Sequence, residues 1–338
     1  MAKITDPNLP QRVEISHRTI VFTVFFLLGL WFLYQIRQII LTLFVSLILM
    51  SALNPTVNKL EHLRLPRWLA IMIIYILTFG GIGLILAIII PSLIDQTELF
   101  ITRISPLIKN IGLSGLNIDS SIITAQISQL GSVPANLLKF IIGVFSNIVG
   151  IFALMVITFY LLVERKNLDK YLMVLFGEGQ EQKAKDLVDK IEKRLGGWVR
   201  GEFILMTTIG VMTYVGLRLL GIEVALPLAI LAALLEIVPN IGPIISAIPA
   251  ILVCIAISPV MVLGVAALYF FVQQSENSFV VPKVMQKTVG VNPLVTILSL
   301  AVGAKIGGVL GAILAVPMVL VIQVVASEFF SSKHFRNL

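Results

Sequence analysis

The sequence predicts an all-α polytopic membrane protein of about eight transmembrane helices, two of them broken or re-entrant. Three observations carry this expectation. Apolar runs recur from residue 20 to residue 327, and a spanning helix needs about 20 predominantly apolar residues. Charge is scarce, at 13% of 338 residues against 58% hydrophobic, with a mean hydropathy of +1.01, which lies outside the range of soluble globular domains. The runs also lack the short alternating pattern of an outer-membrane barrel.

Several function classes drop out at this level. The net charge of +7 falls in loops between apolar runs, as orientation bias requires, so no nucleic-acid partner is expected. Cys254, the single cysteine, excludes an intrachain disulfide or a thiolate metal cluster. His17, His62 and His334 have no ligand spacing to one another, so no metal site is expected on them. Asp6 and Glu14, with no small-residue cleavage site, argue against a removable signal peptide.

Four segments follow in order. Residues 1–90 hold a cytoplasmic arm, with Lys3, Arg12 and Arg18, and the first three spans. Runs 20–36 and 39–53 are split by Arg37-Gln38. Because the arm and residues 54–67 are both basic, a tight hairpin of two crossings is expected, with Arg37 snorkelling at the far interface. Residues 68–90 make the third span, entered at Arg67-Trp68 and ended by Pro91. Residues 91–139 form an extracytoplasmic amphipathic segment. Leu93, Thr97, Phe100, Ile101, Ile104 and Ile108 mark one helix face, and Ile118, Ile122, Ile123, Ile127 and Leu130 a second one capped near Asp119-Ser120. Residues 140–201 comprise the fourth span and a charged cytoplasmic helix. The stretch 164–201 carries nine Lys or Arg and seven Asp or Glu, and Ala184, Leu187, Val188, Ile191 and Leu195 give it an apolar stripe. Glu202 reads as a cap or a partner for Arg200. Residues 202–338 form a C-terminal membrane core with two broken-helix repeats.

The first repeat contains Glu236-Ile-Val-Pro-Asn-Ile-Gly-Pro-Ile-Ile-Ser-Ala-Ile-Pro249 inside the apolar run 224–257. Drawn as one straight helix, that run is about 51 Å long against a hydrocarbon core of about 30 Å. Its prolines and glycine break backbone hydrogen bonds that lipid cannot replace, so protein or water must satisfy them. The second repeat begins at Pro293-Leu294 and reads Ile306-Gly-Gly-Val-Leu-Gly-Ala-Ile-Leu-Ala-Val-Pro317. Paired interrupted segments are a sequence pointer to a transporter's binding site. Each is open to two drawings: a single kinked span, giving eight helices with both termini cytoplasmic, or a re-entrant hairpin reaching mid-membrane.

Ionisable side chains at membrane depth are expensive, so each calls for a reason. Glu236 and Asn240 share a helical face. Tyr269, Gln273, Glu276 and Asn277 follow i, i+4, i+7, i+8 spacing, and Lys305 interrupts the second repeat. Glu236, Glu276 and Lys305 are expected to face one cavity, with Lys305 pairing a carboxylate. No enzyme constellation emerges: there is no Gly-Lys-Ser/Thr phosphate loop, no His-Glu-x-x-His and no Gly-x-Ser-x-Gly. Every Asp lies in a polar segment, which removes an intramembrane aspartyl protease.

Glu236-Ile-Val-Pro-Asn-Ile-Gly-Pro243, Gln274-Ser-Glu-Asn277, Asn292-Pro-Leu294 and Gly307-Gly-Val-Leu-Gly-Ala-Ile-Leu-Ala-Val-Pro317 together resemble the AI-2E family. Asn54-Pro55 and Leu65-Pro-Arg67 are similar to it as well. The resemblance covers nearly the whole chain. It implies about eight membrane segments, a bacterial inner-membrane location, no obligatory cofactor and transport as the activity. It carries over Glu236, Pro239, Gly242 and Pro243 from the first motif, and Gln274, Glu276 and Asn277 from the second.

Three functions are weighed. The leading expectation is export of a small polar solute resembling autoinducer-2, with Asn240, Tyr269, Gln273, Gln274 and Asn277 supplying neutral hydrogen bonds. The alternative is sodium(lithium)/proton antiport, in which Glu236 and Glu276 bind the monovalent cation or a proton. The third is a non-transporting scaffold or regulator. The lipid bilayer is the other expected partner, and small-residue faces such as Gly80-Gly-Ile-Gly83 permit a homo-oligomer. The basic arm and the tail with Lys333 and Arg336 put both termini in the cytoplasm.

Overall fold

The computed structural model describes residues 17–110, 143, 148–177, 181–239, 241–255, 257–285 and 292–331, and every regular element among them is helical. Two compact units are present, Met1–Phe44 and Val45–Leu338. The first contains α1 (His17–Gln35) and the opening turns of α2 (Arg37–His62). No residue of α1 is buried, and Phe22, Phe25, Phe26, Trp31 and Phe32 are all exposed. Such a surface suits acyl chains rather than water.

The expected hairpin at Arg37-Gln38 does not form. Ile36 donates its N–H to the carbonyl of Phe32 at 3.0 Å, and Ile40 donates to Ile36 at 3.1 Å, so helical bonding runs through the junction. Reversing between antiparallel helices takes two to five loop residues, and a single residue provides none. The Arg37 guanidinium is instead placed 4.1 Å from the centroid of the Tyr34 ring, a cation–π contact that accommodates its charge on the helix surface.

In the second unit, α3 (Arg67–Asn110) continues past Pro91 rather than ending there. Proline removes one helical hydrogen bond, and apolar neighbours in a membrane protein leave the backbone no better state than helix. The amphipathic helix expected at 118–130 lies outside the described residues. α4 (Ile148–Glu164) is followed by a short 3₁₀ turn (Arg165–Asn167) and α5 (Leu168–Phe176).

α6 (Glu181–Leu219) joins the charged helix and the next span into one rod. Gly196, Gly197 and Gly201 do not interrupt it. They are buried, and a Cβ built on Gly196 would strike the carbonyl oxygen of Ser51. Gly196 lets α6 lie directly on α2. The buried stripe of α6 runs Leu195, Trp198, Glu202, Leu205, Ile209, Thr213 and Leu217 at three- and four-residue steps, the signature of one packed helix face.

Both broken repeats are helical hairpins. α7 (Ala225–Leu235) and α8 (Gly242–Ile255) run antiparallel, with Leu228 and Ala232 packed in one cluster with Ala250 and Cys254. At the bend, a Cβ on Gly242 would collide with the Leu235 carbonyl, so only glycine fits. α9 (Pro259–Ser275) starts at Ser258, whose Oγ accepts the Met261 N–H at 3.2 Å as an N-cap. α9 passes through a π turn (Glu276–Val280) into α10 (Val281–Met285). α11 (Pro293–Ser331) reverses at Gly308, where φ is 60° and ψ is −142°. That conformation is open to glycine and closed to most L-residues. Its arms touch backbone to backbone, since a Cβ on either Gly303 or Gly311 would hit the other's carbonyl. Val238, in the bend of the first hairpin, packs on Leu300, Ala312 and Ala315 of the second. The bend of the first hairpin therefore packs against the arms of the second.

Among the described residues, six segments are long and apolar enough to cross a membrane: His17–Gln35, Arg37–His62, Arg67–Ile88, Ile148–Phe176, Glu181–Leu219 and Leu294–Phe330, the last counted through its reversal at Gly308. The first hairpin adds the shorter apolar helices Ala225–Leu235 and Gly242–Ile255. An all-helical, multi-pass membrane protein is thereby established.

Charge collects at one end of the second unit. Arg67 donates to the Leu162 carbonyl at 2.8 Å, to Asn54 Oδ1 and Asn58 Oδ1 at 2.9 Å, and to Glu61 Oε2 at 3.0 Å. Arg165 binds Glu192 and Asp189, each at 2.5 Å, and Asn54 donates to Glu192 at 2.6 Å. Lys166 pairs with Glu61. These groups line an open pocket of about 590 Å³ and tie α2, α3, α4 and α6 together.

Candidate functional site

The polar groups inside the apolar body come from three places in the chain. Glu236 caps the C-terminal end of α7, with its N–H donated to Ala232 at 3.1 Å. The residues after it close tight turns: Val238 N–H to Leu235 at 3.1 Å, Ile241 N–H to Pro239 at 2.8 Å and Gly242 N–H to Val238 at 2.9 Å. The break therefore satisfies its own backbone, as membrane depth demands. Pro243 sits buried in the first turn of α8, where no N–H is required. Pro239 is half-buried in the bend, and Asn240 lies outside the described residues.

Glu276 opens the π turn, where the Val281 N–H reaches back five residues to its carbonyl. An extra residue in a helical turn re-aims side chains, and such turns recur at functional sites. Here it leaves Glu276 only 2% exposed while Gln274 and Asn277 on either side are exposed. Gln273 is half-buried and sends its Nε2 to Glu276 Oε2 at 3.5 Å, and Tyr269 is buried with its hydroxyl unpartnered.

Glu236 is fully buried and neither carboxyl oxygen has a hydrogen-bond partner. The carboxyl of Glu276 is close enough to bear on it electrostatically. Two ionised carboxylates hold no donor between them, so the two acids can share a hydrogen bond only when one carries a proton. Leaving two buried negative charges uncompensated costs several kcal/mol each. A proton or a monovalent cation at the pair compensates one of the two charges and lowers that cost.

A third carboxyl completes the group. Glu202, on the buried stripe of α6, is 3% exposed, and both its oxygens lack partners. It feels the charge of Glu276 and bears in turn on Glu236. It neither caps α6 nor pairs with Arg200, which is exposed on another face of the same helix. The available signal was its place in the stripe Leu195, Trp198, Glu202, Leu205. Lys305 does not join the group: it is exposed on the first arm of α11 and has no ion-pair partner among the described residues. Also among the described residues, no three His, Cys, Asp or Glu side chains form a metal-ligating cluster. The acids thus form a loose group able to hold a proton or a partly hydrated cation, rather than a closed metal cage.

Two helical hairpins, the bend of one packed on the arms of the other beside buried, unpaired carboxyls, are the kind of arrangement from which membrane transporters build a binding site. The chain belongs to the AI-2E family transporters, whose family model matches residues 20–331. Among its relatives, YrrI of Bacillus subtilis (strain 168) is 27% identical over 323 residues, covering 90% of this chain and 92% of its own, and its name assigns transport in general terms. YueF of the same organism is 28% identical over 312 residues, covering 86% and 84%. A Halobacillus andaensis protein named as a sodium-lithium/proton antiporter is 24% identical over 332 residues, covering 86% and 91%.

Proposed function

We propose that this chain exchanges a monovalent cation, sodium or lithium, for protons, and that Glu236 and Glu276 are the groups they compete for. The observation that carries this reading is the Glu236–Glu276 pair, buried in the apolar body with no basic side chain among the described residues to neutralise it. A carboxylate is a hard oxygen ligand and a proton acceptor, so the same oxygens serve both ions. When a proton occupies the pair, the two acids satisfy each other. When the cation occupies it, both carboxylates face one positive charge. With either ion bound the pair carries one negative charge instead of two, and the loaded pair is the cheaper one to turn from one side of the membrane to the other. That is the coupling rule of an antiporter.

The antiporter name borne by the Halobacillus andaensis relative supports the same reading. Export of an autoinducer-2-like solute would call for convergent neutral donors and acceptors, whereas Gln274 and Asn277 are exposed rather than turned inward with Glu276. The belt around Arg67 and Arg165 supports a cytoplasmic placement for that end of the molecule in a bacterial inner membrane.

The test uses the full chain in proteoliposomes with a pH dye inside. Adding sodium or lithium outside should produce a pH change in the lumen, and Glu236→Gln should abolish it. An unchanged signal from correctly inserted Glu236→Gln would refute the assignment.

A further inference from the structure

Apart from Glu181 Oε2 at the start of α6, the buried polar atoms without partners among the described residues lie in the apolar body. Besides Glu236 they are both oxygens of Glu202, the hydroxyl of Thr213 and the hydroxyl of Tyr269. Glu202 and Thr213 lie on the one buried stripe of α6, about 17 Å apart along its axis. Tyr269 and Glu276 are seven residues apart on α9 and its π turn, hence on one face. The two faces are pressed together in an antiparallel register. Gly216 lies against the side chain of Leu268, and Gly264 against Leu220. Tyr269 packs with Leu217, one turn from Thr213.

A dry helix interface does not leave this many donors and acceptors unanswered, because each forfeits its hydrogen bonds to water and gains none. The charged groups that bear on Glu202 are Glu276 and, beyond it, Glu236, with no lysine or arginine among them. On the same helix, Arg200 is exposed and the lysines of residues 183–193 lie toward the charged end. Lys283 on α10 and Lys305 on α11 are also exposed.

We propose that the α6–α9 interface is the conduit by which water and ions reach the Glu236–Glu276 pair, entered at Glu202 from the charged end of α6 and continued past it by the hydroxyls of Thr213 and Tyr269. Glu202 is then a positioning residue of the path: its carboxyl draws the cation or proton inward and passes it to Glu276. In proton transfer the O–H of Glu202 breaks as one forms on Glu276, and the cation moves the opposite way. The identity of the ion rests on the antiport reading above, but the existence of a wet path does not.

The experiment separates the two. In full-length protein with Cys254→Ala, single cysteines are introduced as Glu202→Cys, Thr213→Cys, Phe203→Cys and Val211→Cys, and treated in proteoliposomes with a cationic, membrane-impermeant methanethiosulfonate. The first two lie on the buried stripe, whereas Phe203 and Val211 are exposed on the outer face, at 69% and 57%. The reagent attacks thiolates, which form only in contact with water. Reaction at 202 and 213 with silence at 203 and 211 is expected, and silence at both 202 and 213 would overturn the conduit. Alongside, Glu202→Gln should slow sodium–proton exchange about tenfold or more and displace its pH profile, while Glu202→Asp retains part of the rate. Native rate and profile in Glu202→Gln would remove Glu202 from the path. If positions 202 and 213 react but the unmodified chain exchanges neither sodium nor lithium for protons, the conduit stands and the antiport reading falls.

Discussion

Replacing Gly303 with alanine adds a methyl group at the place already taken by the carbonyl oxygen of Gly311, with the Gly311 carbonyl carbon at 2.9 Å and the Ala315 Cβ at 3.0 Å behind it. The obstacle is backbone, so no rotamer change relieves it. The two arms of α11 must part, which loosens the contact of Leu300, Ala312 and Ala315 with Val238. Overpacking costs about 1–3 kcal/mol when side chains yield, and a backbone obstacle sets this case at the top of that range. Alanine returns up to about 1 kcal/mol through its higher helix propensity, for a net loss of about 2 kcal/mol. Gly307, four residues on, provides the control: a Cβ there meets nothing within 4 Å. Gly307→Ala should therefore gain the propensity term alone, leaving the two variants about 3 kcal/mol apart. At roughly 2–4 °C per kcal/mol, their thermal midpoints in detergent should differ by about 6–12 °C, with Gly303→Ala the lower. Equal midpoints would refute the back-to-back packing of the arms, and with it the re-entrant form of α11.

Further outcomes follow from other contacts. Gly242→Ala drives a Cβ into the Leu235 carbonyl, so membrane insertion should persist while exchange in proteoliposomes is lost with the shape of the first bend. Arg67→Ala removes donors to Asn54, Asn58, Glu61 and the Leu162 carbonyl. It should cost about 3 kcal/mol in denaturant unfolding, and Arg67→Lys should not restore it, because one ammonium cannot span the same fork. By contrast Glu328→Gln, which breaks an exposed pair with Lys190, should leave the midpoint unchanged within error.

Much of this architecture was legible in the chain. Long apolar runs announce spanning helices because the hydrocarbon thickness sets their length. Proline and glycine at 239, 242 and 243 announce a break because both residues disrupt helical continuity. Local rules failed where tertiary contacts or the bilayer overrode them. Pro91 looked like a terminus and lies inside a helix. Arg37-Gln38 looked like a turn because the segments on both sides of the two runs are basic, yet the single residue between the helices cannot reverse the chain. Gly196 stands inside α6 rather than ending it, because its missing side chain lets the helix rest on the Ser51 carbonyl of α2. Of the acids, Glu236 and Glu276 stood out because each interrupts an apolar stretch. Glu202 was masked by Arg200 and the charged helix before it.

What the sequence determines by itself is the solvent. A chain so apolar, with its charges gathered into a few belts, can only bury its backbone hydrogen bonds in helices and present side chains to lipid. The reversals at residues 236–241 and at Gly308 are decided only by tertiary structure. They depend on carbonyl groups approaching glycines across the bend, at distances that linear spacing does not encode. The meeting of Glu202, Glu236 and Glu276 is likewise a product of packing. These acids stand on three elements far apart in the chain, and only the stacking of α6 against α7 and α9 brings their charges together.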